Sequence, residues 1–145
     1  MTPTTTTLHA LLCATLLAAG HAGAEPGTLT VTLKQVGEPP GNLRASLYRD
    51  PATFRKEDKA LQVVALPAAK GDMQLVFRDV PAGRYAVMAY HDANADGKLN
   101  LRLGMFPTEG YGLSNNPQVF GPPKFADSAF DVGADGAAID ITLSY

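Results

Sequence analysis

The sequence has no tryptophan and one cysteine, Cys13. That cysteine sits inside an apolar run near the start of the chain. A lipoprotein signal places a small residue before its cysteine, and here Leu12 stands there, so lipid anchoring is not expected. Beyond this run there is no thiol for a disulfide, for thiolate catalysis or for a metal. Histidine is also scarce. Only His91 lies outside the first 24 residues, and a structural zinc site needs four nitrogen or sulfur ligands. Charge is sparse and balanced: 12 Lys and Arg face 14 Asp and Glu, for a net charge of −2. With no basic stripe and no run of like charge, nucleic acid and anionic membranes are not expected partners. No amphipathic helical pattern of ten or more residues follows the leader, and no later apolar stretch approaches the roughly 20 residues of a membrane span.

Residues 1–24 carry the marks of a secretory signal. Leu8 to Gly20 is apolar except for His9 and Thr15, and Ala22-Gly23-Ala24 supplies small residues at a cleavage site. The run departs from the usual pattern in lacking Lys or Arg before it. Its removal leaves residues 25–145 as one exported domain, periplasmic or extracellular, long enough for one packed core.

Alternation dominates that domain. Leu29, Val31 and Leu33 share one side of a strand and Thr28, Thr30 and Thr32 the other. Leu43–Tyr48, Leu61–Leu66 and Gln74–Phe77 read as further strands. Arg84–Tyr90 is apolar on both alternating sets, the mark of a central strand covered on both faces. Asp50-Pro51 opens a short helical turn anchored by Phe54. Ala129–Val132 and Ile139–Tyr145 close the series, the latter with Ile139, Ile141, Leu143 and Tyr145 on one face. Residues 100–125 have no period and form one long ordered loop, a length that in a compact domain often marks function. These features predict an all-β fold, a single antiparallel β-sandwich of about seven strands, immunoglobulin- or transthyretin-like.

The densest chemistry lies in residues 91–116. Asp92, Asn94 and Asp96 alternate and Gly97 follows at once. Short oxygen-bearing side chains at every second position can face one centre. Counted against a calcium loop, the ligand positions are Asp92, Asn94, Asp96, the Lys98 carbonyl, Asn100 and Leu103. Leu103 supplies no carboxylate, so Glu109, brought back by the loop, is the candidate to complete the shell. A weak calcium site of this composition is one expectation. The other is a stiff turn, with the same oxygens bonded to backbone N–H groups. No other cofactor is expected.

A second set of candidates faces a ligand: His91, Lys98, Glu109, Tyr111, Ser114 and Asn115. The expected partner is a small molecule, a glycan or a protein. No catalytic residue is assigned. Adjacent His91 and Asp92 point to opposite sides of a strand, so Asp92 does not orient His91 as a triad needs. A small hydrolase using Glu109 or His91 is the alternative from another class. Tyr111, Phe106, Phe120 and Phe125 punctuate the long loop and are expected to pack beneath it, the alternative being an exposed cluster beside Asn115 and Asn116 that grips a sugar ring or a peptide.

These residues carry a family resemblance. Pro81-Ala82-Gly83-Arg84-Tyr85-Ala86-Val87, His91-Asp92 with Asn94, Lys98 and Leu99, Glu109-Gly110-Tyr111-Gly112 with Ser114-Asn115, and Gly121-Pro122-Pro123 with Phe125 resemble the DUF2141 family of small secreted bacterial proteins. The family pattern often has asparagine at Asp96 and aspartate at Asn100, a swap that keeps an oxygen at each place and moves the charge. The resemblance covers nearly all of residues 25–145. It implies a β-sandwich-like fold and export, and it implies no catalytic residues.

Overall fold

Strands built on the alternating segments make up most of the computed structural model, which describes residues 27–145 apart from Pro39. The expected leader, residues 1–24, lies outside the described residues. In chain order the strands are β1 (Gly27–Val36), β2 (Asn42–Tyr48), β3 (Gln62–Pro67), β4 (Gly71–Val80), β5 (Gly83–Asp92), β6 (Leu101–Arg102), β7 (Phe106–Pro107), β8 (Tyr111–Leu113), β9 (Phe130–Val132) and β10 (Ala137–Thr142). One sheet has the order β10-β1-β4. The other runs β3-β2-β5-β8, with β9 pairing the first half of β5, and β6-β7 is a separate hairpin.

The period-2 pattern explains how the two sheets meet. Leu29, Val31 and Leu33 of β1, with Leu75 and Phe77 of β4, face Leu43, Ala45 and Leu47 of β2 and Tyr85, Val87 and Ala89 of β5. All eleven are at most 1% exposed. Burial of each large side chain contributes about 1.5–3 kcal/mol, which is why alternation sets the register so firmly. The second face of β5 is covered as well. Ala86 packs with Tyr48, Phe54 and Leu113, and Phe125 joins from the edge.

The structure departs from the expected layout in three ways. The seven anticipated strands are present as β1 to β5, β9 and β10, but the supposed single loop also contains β6, β7 and β8. Strands of two or three residues are too short to show a period. The sandwich is also not wholly antiparallel, because β10 runs parallel to β1, Leu29 pairing Ala137 and Leu33 pairing Ile141. The chain reaches β10 from β9 on the opposite sheet, so nothing forces it to reverse against its new neighbour. Finally, the Asp50 segment is a turn rather than a helix, with Asp50 Oδ1 accepting from Ala52 N–H. A 3-10 helix, Glu57–Lys59, follows it.

Candidate functional site

Strand β5 delivers Asp92 to the rim of the second sheet and ends there. Asp92 is only 1% exposed. Its Oδ1 accepts from Asp96 N–H at 3.0 Å and its Oδ2 from Gly97 N–H at 2.9 Å. A buried carboxylate is tolerable only when its oxygens are met in this way. Asn94 Oδ1 also accepts from Asp96 N–H, and Asp96 Oδ1 accepts from Lys98 N–H. The alternating Asp and Asn side chains therefore bond to backbone two to five residues on. Gly97 has φ of +75°, a conformation that favours glycine where the loop doubles back.

The outer rim of the loop is a ring of side chains. Asp96 Oδ2 accepts from Asn100 Nδ2 at 2.9 Å and from Asn94 Nδ2 at 3.2 Å, and Asn94 Nδ2 also donates to Asn100 Oδ1 at 3.1 Å. Donors on three sides hold the Asp96 carboxyl below its ordinary 3.8. The Asn100 amide has the largest effect, and the Lys98 N–H and Asn94 amide add to it.

Glu109 closes the lobe from a distance. Its Oε1 accepts from Ala93 N–H and its Oε2 from Asn100 N–H, both at 2.9 Å. One carboxylate thus clamps the two ends of the Asp92 loop, and Thr108 adds bonds from its N–H and hydroxyl to the Asn100 carbonyl. Asp92, Asn94, Asp96, Asn100 and Glu109 come together, as their spacing suggests. No group of three or more His, Cys, Asp or Glu side chains among the described residues is arranged to hold a metal ion. Lys98 is exposed at the rim.

The other ligand candidates are dispersed. His91 is 2% exposed and faces away from the loop. Its Nε2 lies 2.9 Å from the Pro40 carbonyl and its Nδ1 3.0 Å from the Tyr145 hydroxyl. A carbonyl only accepts, so Nε2 carries the proton and Nδ1 accepts from Tyr145. Only the His91 backbone bonds to the long loop, its N–H donating to Gly110 O. Ser114 is fully buried; its hydroxyl accepts from Val87 N–H and donates to the Ser128 carbonyl. Asn115 bonds through its amide to Ala129 O. Tyr111 is half-buried and lines a separate cleft of about 410 Å³ between β8 and β10, together with Asn116, Gln118 and Thr142.

The aromatic residues divide. Phe125 packs edge-on against Phe54 with ring centroids 5.9 Å apart. Phe106 and Phe120 are exposed rather than packed beneath the loop. Gly110 and Gly112, which flank Tyr111, are required by close approach. A Cβ on Gly110 would lie 2.4 Å from the Tyr145 ring, and one on Gly112 2.6 Å from the Thr142 carbonyl.

Sequence reasoning missed one polar cluster. On the outer face of the second sheet Glu57 accepts from Arg44, from Ser46 Oγ at 3.2 Å and from Tyr90 Oη at 3.0 Å. Burial first, and then the Glu57 carboxylate, push the Tyr90 phenol well above its ordinary value. The partners lie 11 to 33 residues from Glu57, so no local spacing announces them.

Fold and site together define a small two-sheet β module with a carboxylate-clamped loop at one rim. The chain belongs to the DUF2141 family, described as uncharacterized protein conserved in bacteria, whose model matches residues 31–140. No curated protein and no solved structure matches the chain.

Proposed function

We propose that the protein is an exported, non-catalytic module whose sandwich holds the residue 92–110 lobe rigid for display to a partner. The observation that carries this reading is the pair of carboxylates, Asp92 and Glu109. Each places both oxygens on backbone N–H groups of the same loop. Such contacts shape a surface in advance of binding, which lowers the ordering cost of docking. The Glu109 contacts, and the burial of His91 between the Pro40 carbonyl and the Tyr145 hydroxyl, argue against a hydrolase built on either residue, because neither side chain is left free to meet a substrate. The test is amide hydrogen exchange without added ligand. Slow exchange at Asp96, Gly97 and Asn100 supports the reading, and exchange at the rate of an open loop ends it.

Calcium stabilisation is a second reading, favoured by one observation: the Asn94, Asp96 and Asn100 side chains converge on each other. Rotation of the two amides would turn their oxygens toward the Asp96 carboxylate. The donor set is hard oxygen, which suits calcium. With the Asp92 and Glu109 oxygens committed to backbone, affinity would fall in the millimolar range of extracellular modules, about 10⁻⁴–10⁻³ M. A melting temperature that rises with millimolar calcium, and no longer does so in Asp96→Ala, supports it. An unchanged melt removes it.

A further inference from the structure

The clamped loop carries the β6-β7 hairpin, whose tip breaks two local rules at once. Arg102 O accepts from Met105 N–H at 3.2 Å, and the two central residues, Leu103 and Gly104, have φ of +55° and +69°. Positive φ at both centres defines a type I′ turn, where Asn-Gly is the favoured pair. Leucine is poorly suited to that backbone. It is also 79% exposed, in line with Leu101 at 46%, Met105 at 68% and Phe106 at 55%. A residue disfavoured both by its backbone and by water points to something that covers it.

The shape and charge of the tip indicate what that is. Leu101 pairs Pro107 and Arg102 pairs Phe106, so apolar side chains lie on both faces of the hairpin as well as at its apex. A protein surface docking one face of a hairpin would leave the other face polar. A knob that is apolar all round suits immersion in an apolar layer. Lys98 and Arg102 border it, both exposed, and neither has a carboxylate within salt-bridge distance among the described residues. Asp96 lies close enough to Lys98 to feel its charge, but its oxygens are turned to the Lys98 N–H and the two amides.

We propose that the Leu101–Phe106 hairpin inserts into the interface of a phospholipid bilayer, with Lys98 and Arg102 at the level of anionic headgroups. The overall charge of −2 argues against general attraction to such a surface. The local pairing of an apolar knob with two cations that lack a carboxylate partner among the described residues is what favours it, in the manner of interfacial anchors. The proposal rests on the reading of the lobe as a display element and names its partner.

The absence of tryptophan makes the test clean. Phe106→Trp places the only indole of the chain on the hairpin. Addition of vesicles of phosphatidylglycerol and phosphatidylethanolamine shifts its emission to the blue, and the protein sediments with them. Leu103→Asn installs the preferred turn residue, so it melts no lower than the parent while vesicle binding falls about tenfold or more, the transfer value of one leucine. Lys98→Glu with Arg102→Glu removes the preference for these vesicles over pure phosphatidylcholine. An unshifted indole with the protein left in the supernatant overturns the proposal, as does a Leu103→Asn variant that binds like the parent. If the loop amides are nonetheless protected from exchange, only the lipid assignment falls. If they are unprotected, the display reading falls with it.

Discussion

The Tyr145 hydroxyl lies 3.0 Å from His91 Nδ1 and 2.6 Å from Gly37 N, so one phenol joins the end of β5, the β1–β2 connection and the final residue of the chain. The rings meet edge-on, with centroids 5.9 Å apart. Tyr145→Phe keeps that packing and removes the hydroxyl, leaving His91 Nδ1 without its donor. Loss of about 1 kcal/mol is expected in urea denaturation. Nitrogen NMR of the parent imidazole should show Nε2 protonated and Nδ1 bare. The opposite tautomer would mean that the Pro40 contact is not a hydrogen bond.

Asp92 is the most expensive side chain to remove from the lobe. Asp92→Ala leaves the part-buried Gly97 N–H without its acceptor and Asp96 N–H with only Asn94 Oδ1, and is expected to cost about 2 kcal/mol. Asp92→Asn retains one oxygen and loses about half as much. Because Glu109 anchors the same loop, Asp92→Ala and Glu109→Ala together should cost less than the sum of the two alone. Full additivity in chemical denaturation would show that the two carboxylates act independently.

The Asp96 carboxyl offers a pH test. Its folded-state value is lowered, chiefly by the Asn100 amide. A lowered carboxyl contributes stability above its unfolded value, and that contribution is lost as pH falls through the folded value. The contribution therefore fades below about pH 4. In Asn100→Ala the Asp96 titration, followed by carbonyl-carbon NMR, should move upward toward the ordinary range. A titration that stays in place would assign the effect to the Lys98 N–H instead.

At the alkaline end the tyrosines of the second sheet act in the other direction. Burial is the main cause that pushes the Tyr48 phenol up to about 12, and Tyr90 is raised further by burial and by Glu57. A phenol whose folded value is raised stabilises the fold fully below its unfolded value, about 10, and the stabilisation is lost as pH rises through the folded value. Stability should fall as pH climbs above 10, with phenolate absorbance appearing together with unfolding. Two tyrosines that ionise well before unfolding would contradict this.

The fold was legible where side chains alternate and illegible where strands are too short to do so. Leu29-Val31-Leu33 and the doubly apolar Tyr85–Tyr90 segment announced β1 and β5, because burial on a pleated sheet imposes a period of two. Nothing in Leu101-Arg102 or Phe106-Pro107 has a period, and a leucine at positive φ hides the turn that joins them. The parallel placement of β10 depends on a crossing between sheets, which Ile139, Ile141 and Leu143 do not encode. Within the site, the alternation of Asp92, Asn94 and Asp96 and the return of Glu109 were visible in the spacing. The ring partners of His91 were not, since Pro40 and Tyr145 lie 51 and 54 residues away. A loop rich in glycine and proline needs some apolar anchor, and Phe125 alone fills that role while Phe106 and Phe120 face water, a division that their spacing does not encode.

Gly110 and Gly112 look alike in sequence but should respond differently to substitution. An added Cβ on Gly110 meets the Tyr145 ring, the end of a side chain, whereas one on Gly112 meets the Thr142 carbonyl as well as the Ile141 side chain. Each alanine variant should lose about 1–3 kcal/mol from overpacking. In a Tyr145→Ala background the obstacle to Gly110→Ala is gone, so its added cost should shrink to a few tenths of a kcal/mol. The cost of Gly112→Ala should be unchanged there, because backbone cannot be truncated. Equal rescue of both variants by Tyr145→Ala would show that the β8–β10 contact yields as a whole, and that the fit between Gly112 and the β10 backbone does not set the spacing of the two strands.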